Sequence, residues 1–384
     1  MNAIVNTKLI LENGVIWDGA LTYEGDRIVE CGKASEVRIP ADANLIDARG
    51  LYTAPGFVDV HNHGGNGAFF YDDPENVAKY FLSHGQTTVL ATVYFNLDQA
   101  QMVDAMRKLK AASASGCARI IKGLYMEGPY MNPRYGADSK NIKWRGPISP
   151  DEFTEVVDAA GDFVKVWCIA PERENIEDFI KYAKKVNPSV VFSIGHSEAT
   201  SETILRLKKY GLRNHTHHTD GGQAPGTFPG LKGAGPDEAC LYDEDLYAEL
   251  ICDYAALHVR PFMLRMVAKI KGVEKTILIT DCTPFAGTNR TKEQYGPDVC
   301  YDSDGLLAGS KLTMDLACRN MMMHTGYGLC HVVKFATANP AKMAGLFDDV
   351  GSLEPGKKAN IIIIDDMVNV KKVIFEGAEA PEDQ

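Results

Sequence analysis

Two histidines separated by one residue leave the end of a β-type run in Pro55-Gly56-Phe57-Val58-Asp59-Val60-His61-Asn62-His63-Gly64-Gly65. Side chains alternate along a strand, so His61 and His63 fall on the same side. Two imidazoles converging from one strand end suit a borderline divalent metal, and the glycines that follow let the backbone turn away without crowding an ion. Alone, such a pair is weak evidence and more often means ordinary structural histidines than a metal site. Four further runs end in groups of related chemistry: Met126-Glu127-Gly128-Pro129, Ile194-Gly195-His196-Ser197, Asn214-His215-Thr216-His217-His218 and Ile279-Thr280-Asp281-Cys282. Each taken singly reads as a turn residue, a helix cap or a satisfied core histidine. Five such groups at the same end of a series of strands are better read together, as one site.

A scaffold that gathers strand ends is therefore required. β-type runs recur at residues 57–61, 87–93, 120–126, 163–169, 190–195, 212–215, 247–251 and 276–280. Between them, residues 97–112, 176–186 and 199–207 carry apolar residues at three- and four-residue spacing, as amphipathic helices do. Alternation of this kind predicts a parallel sheet covered by helices. Eight strands either close into a barrel or stay open as a doubly wound sheet. The polar groups end the first, third, fifth, sixth and eighth runs, and a closed barrel brings all strand C-termini to one mouth. No G-x-G-x-x-G supports an open dinucleotide-binding sheet. The expected class is α/β, with a (β/α)8 TIM-like barrel over residues 54–347.

The two ends of the chain read differently. Short strands at 9–16, 27–30 and 45–47 are punctuated by Asn13-Gly14, Gly25-Asp26 and Arg49-Gly50. After Gly351 and Glu354-Pro355-Gly356, runs at 361–364 and 370–375 are separated by Asp365-Asp366. Residues 1–53 plus 348–384 are expected to form one small β domain built from both termini.

Composition narrows the function. In 384 residues, 45% hydrophobic and 24% charged, there is enough apolar material for a large soluble core. A net charge of -11 lacks the basic face that nucleic acid needs, so a small-molecule substrate is expected. Nine scattered cysteines without a C-x-x-C pair read as reduced thiols, which points to the cytoplasm. Neither a leader-type start nor an apolar stretch of membrane-spanning length is seen, and no membrane partner is expected.

The ordered set H-x-H, E-G-P, G-H-S, T-H and T-D is closed by Leu307-Ala308-Gly309-Ser310-Lys311-Leu312-Thr313-Met314 and Asn339-Pro340-Ala341. Together these resemble the N-acetylglucosamine-6-phosphate deacetylases of the amidohydrolase superfamily, along nearly the whole chain. The resemblance implies a barrel with a small β-sandwich from both termini, usually in a homodimer. It implies that Glu127, His196 and His217 hold one divalent metal, and that His61 and His63 hold a second with Glu127 bridging. Zinc is the default for such ligands, with iron, cobalt or manganese as substitutes. Asp281 would exchange the proton of the attacking water, and His258, in Ala256-Leu257-His258-Val259, would contact substrate. The implied reaction is metal-dependent deacetylation of an N-acetylamino sugar 6-phosphate to amine and acetate.

Two segments depart from the family pattern. Asp138, in Tyr135-Gly136-Ala137-Asp138, stands where the family has a histidine that polarises the acyl carbonyl. Thr219-Asp220-Gly221-Gly222 replaces a segment containing Asn-Ala-Met, and Thr227 lies near the place of a phosphate-binding arginine. Asp138, Asp220 and Gly221 are accordingly candidate substrate-side residues, while Arg134, Lys140, Lys143 and Arg145 offer alternative positive charge. The departures leave open an unphosphorylated N-acyl sugar, an acylated amino acid or a cyclic amide. A cyclic amide is less favoured by Glu127 in a position where cyclic-amide hydrolases commonly carry a modified lysine. A metal-binding relative without turnover would be expected to have lost a ligand or Asp281, and none is lost.

Overall fold

The computed structural model describes residues 1–137, 139–226, 231, 233–288, 296–302 and 305–381. The chain opens with β1 (Asn2–Leu11), β2 (Gly14–Glu24), β3 (Arg27–Lys33), β4 (Asn44–Asp47) and β5 (Tyr52–Pro55). The expected strand at 9–16 is in fact a hairpin, in which Leu11 pairs with Gly14 across the Glu12-Asn13 turn. Asn-Gly is a strong hairpin signal, and here it ends one strand and begins the next.

Eight parallel strands follow: β6 (Phe57–Asn62), then, after the small hairpin β7 (Gly64–Gly65) and β8 (Ala68–Phe69), β9 (Gln86–Tyr94), β10 (Ile121–Glu127), β11 (Val164–Ile169), β12 (Val191–Ile194), β13 (Leu212–His215), β14 (Tyr247–Ile251) and β15 (Thr276–Ile279). They pair in the order β15-β14-β13-β12-β11-β10-β9-β6. All residues of β6, β12, β14 and β15 are buried, as expected of strands covered by helices outside and packed side chains inside. The first and last strands meet where Asp281 N donates to His61 O at 2.9 Å and Thr280 Oγ1 donates to Asp59 Oδ2 at 2.6 Å. The result is a nearly closed (β/α)8 barrel.

The helices are α1 (Pro74–Ser83), α2 (Gln99–Ala112), α3 (Pro150–Ala160), α4 (Ile176–Val186), α5 (Ser201–Arg206), α6 (Pro236–Tyr242), α7 (Pro261–Lys275), α8 (Met314–Thr325), α9 (Leu329–Phe335) and α10 (Ala338–Met343). Their starts and inner faces are written locally. Asp98 forms a capping box with Gln101 at the head of α2, and α4 buries Ile176, Phe179, Ile180 and Ala183 at i, i+3, i+4 and i+7. No helix among the described residues is long and apolar enough to cross a membrane.

After the hairpin β16 (Val299–Tyr301) and β17 (Leu307–Ser310), the chain returns to its beginning through β18 (Ile361–Ile364), β19 (Val370–Phe375) and β20 (Ala378–Glu379). Sheet order β20-β19-β18-β5-β1-β2-β3, with β4 on β1, joins both termini. This sheet folds over a core of its own that includes Ile4, Leu9, Leu21, Tyr23, Ile361 and Ile374. Its two ends come so close that a Cβ on Gly377 would sit 1.7 Å from Gly25 O, so only glycine fits there.

Candidate metal centre

The carboxyl ends of the barrel strands bring the sequence-predicted polar groups to one point. Glu127 ends β10 and turns one oxygen to each side. Its Oε2 lies 3.2 Å from His63 Nε2 and 3.9 Å from His61 Nε2, while its Oε1 lies 2.8 Å from His196 Nε2 and 3.3 Å from His217 Nε2. Asp281 Oδ1 stands 3.2 Å from His63 Nε2 and 3.6 Å from His61 Nε2. All six side chains are buried.

Backbone geometry at these positions is unusual. His196, His217 and Asp281, each just past a strand end, have φ of +47°, +29° and +46°. Non-glycine residues held there are strained, and such strain concentrates at functional sites. At Gly221, where φ is +85°, a Cβ would lie 2.8 Å from His217 Cε1 and 3.1 Å from His196 Nδ1. The two imidazoles thus pack directly on glycine backbone.

Electrostatics follow from the burial of so many ionisable groups. Burial opposes ionisation of Glu127, but hydrogen bonds from His196, His217 and His63 outweigh it and hold its carboxyl well below the usual range. Burial likewise works against charge on Asp281, and His61 and His63 overcome it. The same carboxylates, acting against desolvation, push His63 up to about 9 and His217 up to about 10.

The donor set fits a divalent metal. His61, His63 and Glu127 form one trio of mutually close ligand atoms, and Glu127, His196 and His217 form another. Both ring nitrogens of His61, Nδ1 of His63 and Nδ1 of His196 are buried without a hydrogen-bond partner, a costly arrangement that an ion would relieve in part. Mixed imidazole and carboxylate donors suit zinc and its neighbours in the first transition row.

Around the centre lies a cavity of about 690 Å³ whose wall includes Phe69, Tyr94, Phe95, Asp220, Gly221 and Phe285. Asp220 also accepts a hydrogen bond at its carbonyl from His217 Nδ1 at 2.5 Å, fixing that ring. His258 is not among the residues lining this cavity. Its Nδ1 bonds Asp253 Oδ2 at 3.1 Å, and its Nε2 is buried and unpartnered. Asp138 and Thr227 lie outside the described residues. Arg134 pairs with Glu198 at 2.7 Å and Arg145 donates to the Ser139 carbonyl, and neither of them, nor Lys140 or Lys143, is on the cavity wall.

Two supporting carboxylates escaped the sequence reading. Glu249, fully buried on β14, faces His61 Nδ1 at 3.6 Å and accepts from Asn214 Nδ2 at 2.5 Å. Asp59, on β6, receives Thr280, Asn62 and Gln86, and burial raises its carboxyl to about 6. The available signal was an acid inside an otherwise apolar strand, as in Tyr247-Ala248-Glu249-Leu250-Ile251.

The amidohydrolase family model matches residues 52–380. Among curated proteins, an N-acetylglucosamine-6-phosphate deacetylase of Bacillus subtilis is 29% identical, with 98% of this chain and 94% of that protein covered. An N-acetylgalactosamine-6-phosphate deacetylase of Escherichia coli O157:H7 is 28% identical, with 96% and 97% covered. Among solved structures, the N-acetylglucosamine-6-phosphate deacetylase of Pasteurella multocida superposes with a TM-score of 0.87 at 26% identity, over 98% of this chain and 99% of that one. An aspartate-to-alanine variant of the Mycobacterium smegmatis enzyme, in complex with N-acetyl-D-glucosamine-6-phosphate, gives 0.83 at 27% identity and 99% coverage of both chains.

Proposed function

The chain belongs to the amidohydrolase family, and from that membership we propose that it is a metal-dependent deacetylase of an N-acetylamino sugar 6-phosphate, releasing amine and acetate. The observation that carries the reading is Glu127, whose two carboxylate oxygens divide between the His61/His63 pair and the His196/His217 pair beside Asp281.

His61, His63, Glu127, His196 and His217 are the residues that would hold one or two ions, zinc by preference. When bound, a divalent ion lowers the pKa of water and polarises the acyl carbonyl. Asp281 takes the proton of the attacking water at Oδ1 and returns it to the departing nitrogen. The histidines that flank it favour its ionised, accepting form before the reaction. Asp220 orients His217 through its carbonyl. Phe69, Tyr94 and Phe95 present apolar faces to a sugar ring and exclude bulk water. His258 would serve the substrate side from its seat on Asp253, and Asp138 and Gly221 complete the proposed set. Resemblance to the family supports a homodimer, and nine free cysteines support a reducing, cytoplasmic setting.

A second reading, an unphosphorylated N-acyl substrate, is favoured by one feature. Among the described residues lining the cavity there is no lysine or arginine, whereas Asp72, Asp220 and Asp302 are present. Carboxylates repel a phosphate that an arginine would clasp. The test is acetate release by metal-reconstituted protein from N-acetylglucosamine-6-phosphate and N-acetylgalactosamine-6-phosphate beside both unphosphorylated sugars. Preference for a phosphorylated sugar supports the first reading. Turnover of the free sugars alone supports the second, and turnover of none of the four sinks the sugar assignment.

A further inference from the structure

A second group of metal-ligating side chains lies on the other side of the His217 turn. β13 ends at His215, and the turn that follows sends the His217 ring to Glu127. His215 and His218 instead come together, with Nδ1 atoms 2.6 Å apart and rings nearly perpendicular at 85°. Opposite them, α6 supplies Asp237 and Cys240, one helical turn apart. Asp237 Oδ1 is 3.9 Å from His215 Nδ1 and 3.8 Å from His218 Nδ1. Donor atoms of His215, His218 and Cys240 all lie within 4.8 Å of one another.

We propose that His215, His218, Asp237 and Cys240 form a separate site for a divalent ion of the zinc class, fastening the turn that carries His217 to α6. Two H-x-x-H and D-x-x-C pairs, one from a strand end and one from a helix, supply four donors, the number a closed structural zinc site uses. Nitrogen and sulfur donors together select zinc over magnesium or calcium. His215, His218 and Cys240 are buried, and the two Nδ1 atoms have each other as hydrogen-bond partner where an ion would part them. His218 Nε2, on the other edge of its ring, has no partner among the described residues, and the Cys240 thiol donates to the Tyr247 carbonyl at 3.6 Å.

Charge also balances. Two neutral imidazoles with a carboxylate and a thiolate neutralise a divalent ion. Burial pushes the Cys240 thiol up to about 12 against the pull of the Lys271 ammonium, 2.9 Å from the Cys240 carbonyl, so the thiolate forms only as an ion displaces its proton. Binding would open the 2.6 Å nitrogen contact to about 3.3 Å, as tetrahedral bonds of about 2.0–2.1 Å require. Asp237 is about one-third exposed at its side chain and gives an ion its way in.

Cobalt(II) loading of the full-length protein provides the test. The Glu127 centre has no sulfur ligand, so sulfur-to-cobalt charge-transfer absorption in the near ultraviolet reports the second site alone. The expected result is that absorption in the wild type, its loss in Cys240→Ser with one fewer cobalt per chain by elemental analysis, and its persistence in Cys282→Ser. Asp237→Asn, altered at a part-exposed position, should retain the fold and bind cobalt there at least tenfold more weakly. A cobalt-saturated wild type without the absorption overturns the proposal, whatever the folding of Cys240→Ser. So does an absorption that survives Cys240→Ser and disappears in Cys282→Ser.

Discussion

The barrel mouth and the terminal sheet solve opposite problems with similar amounts of burial. In the sheet, Ile361, Ile362, Ile363 and Ile364 are buried against other apolar side chains, and the inward hydroxyls of Thr7 and Thr53 bond each other at 2.7 Å. At the mouth, imidazoles and carboxylates are equally buried, yet four ring nitrogens of His61, His63 and His196 lack partners and three of the side chains sit on left-handed backbone. Burial in the first region is spent on stability, and in the second it is stored for binding and chemistry. Substitutions should therefore separate cleanly, with mouth changes moving activity and sheet changes moving the melting transition.

The largest effect is expected at Asp281. Asp281→Asn should lower kcat roughly a hundred- to ten-thousand-fold, with metal content and circular dichroism unchanged, because it removes a proton acceptor and little volume. Normal turnover in that variant would end its assigned role. Ile361→Ala, in the sheet, should lower the unfolding free energy by about 2–5 kcal/mol in urea titration while turnover per folded molecule stays the same. If its kcat fell instead, the two regions would be coupled, through neighbours such as Ile362 and Ile364 that pack into the barrel core.

Glu249→Gln sharpens the contrast from inside the barrel. It removes the carboxylate facing His61, and chelator competition should show metal affinity weakened by roughly 10–100-fold. The smallest change is expected at the exposed Lys33–Glu36 pair, 3.2 Å apart on the rim of the sheet. Lys33→Ala should shift stability by less than about 1 kcal/mol and leave both turnover and metal content alone.

Much of this arrangement was legible in the sequence because strands that end in a polar group mark both an element and its function. The run at 176–186 coincides with α4, the runs at 361–364 and 370–375 coincide with β18 and β19, and all eight barrel strands lie within one residue or so of their expected positions. His61, His63, Glu127, His196, His217 and Asp281 converge as the pattern required. Other features depend on what packs against what. Glu249 and Asp59 look like any strand carboxylate until the closed barrel surrounds them. His258 matches a family segment by sequence, but its seat on Asp253 is set by a turn that periodicity does not encode. Asn13-Gly14 is a visible turn signal, but whether it interrupts one strand or separates two depends on the pairing of β1 with β2, which is a tertiary fact.

The seam between the first and last barrel strands sets an order of assembly. Asp59 and Thr280 are 221 residues apart in the chain, yet their hydrogen bonds close the barrel directly beneath His61 and Asp281. During synthesis, a nascent chain that has emerged through β14 already carries His61, His63, His196 and His217 but lacks the strand that leads to Asp281, the proposed proton acceptor. Contacts of such long range form late, after the local βα units have gathered. Truncated or stalled products should thus be able to capture metal loosely without hydrolysing anything, and hydrolytic competence arrives only when the last strand docks.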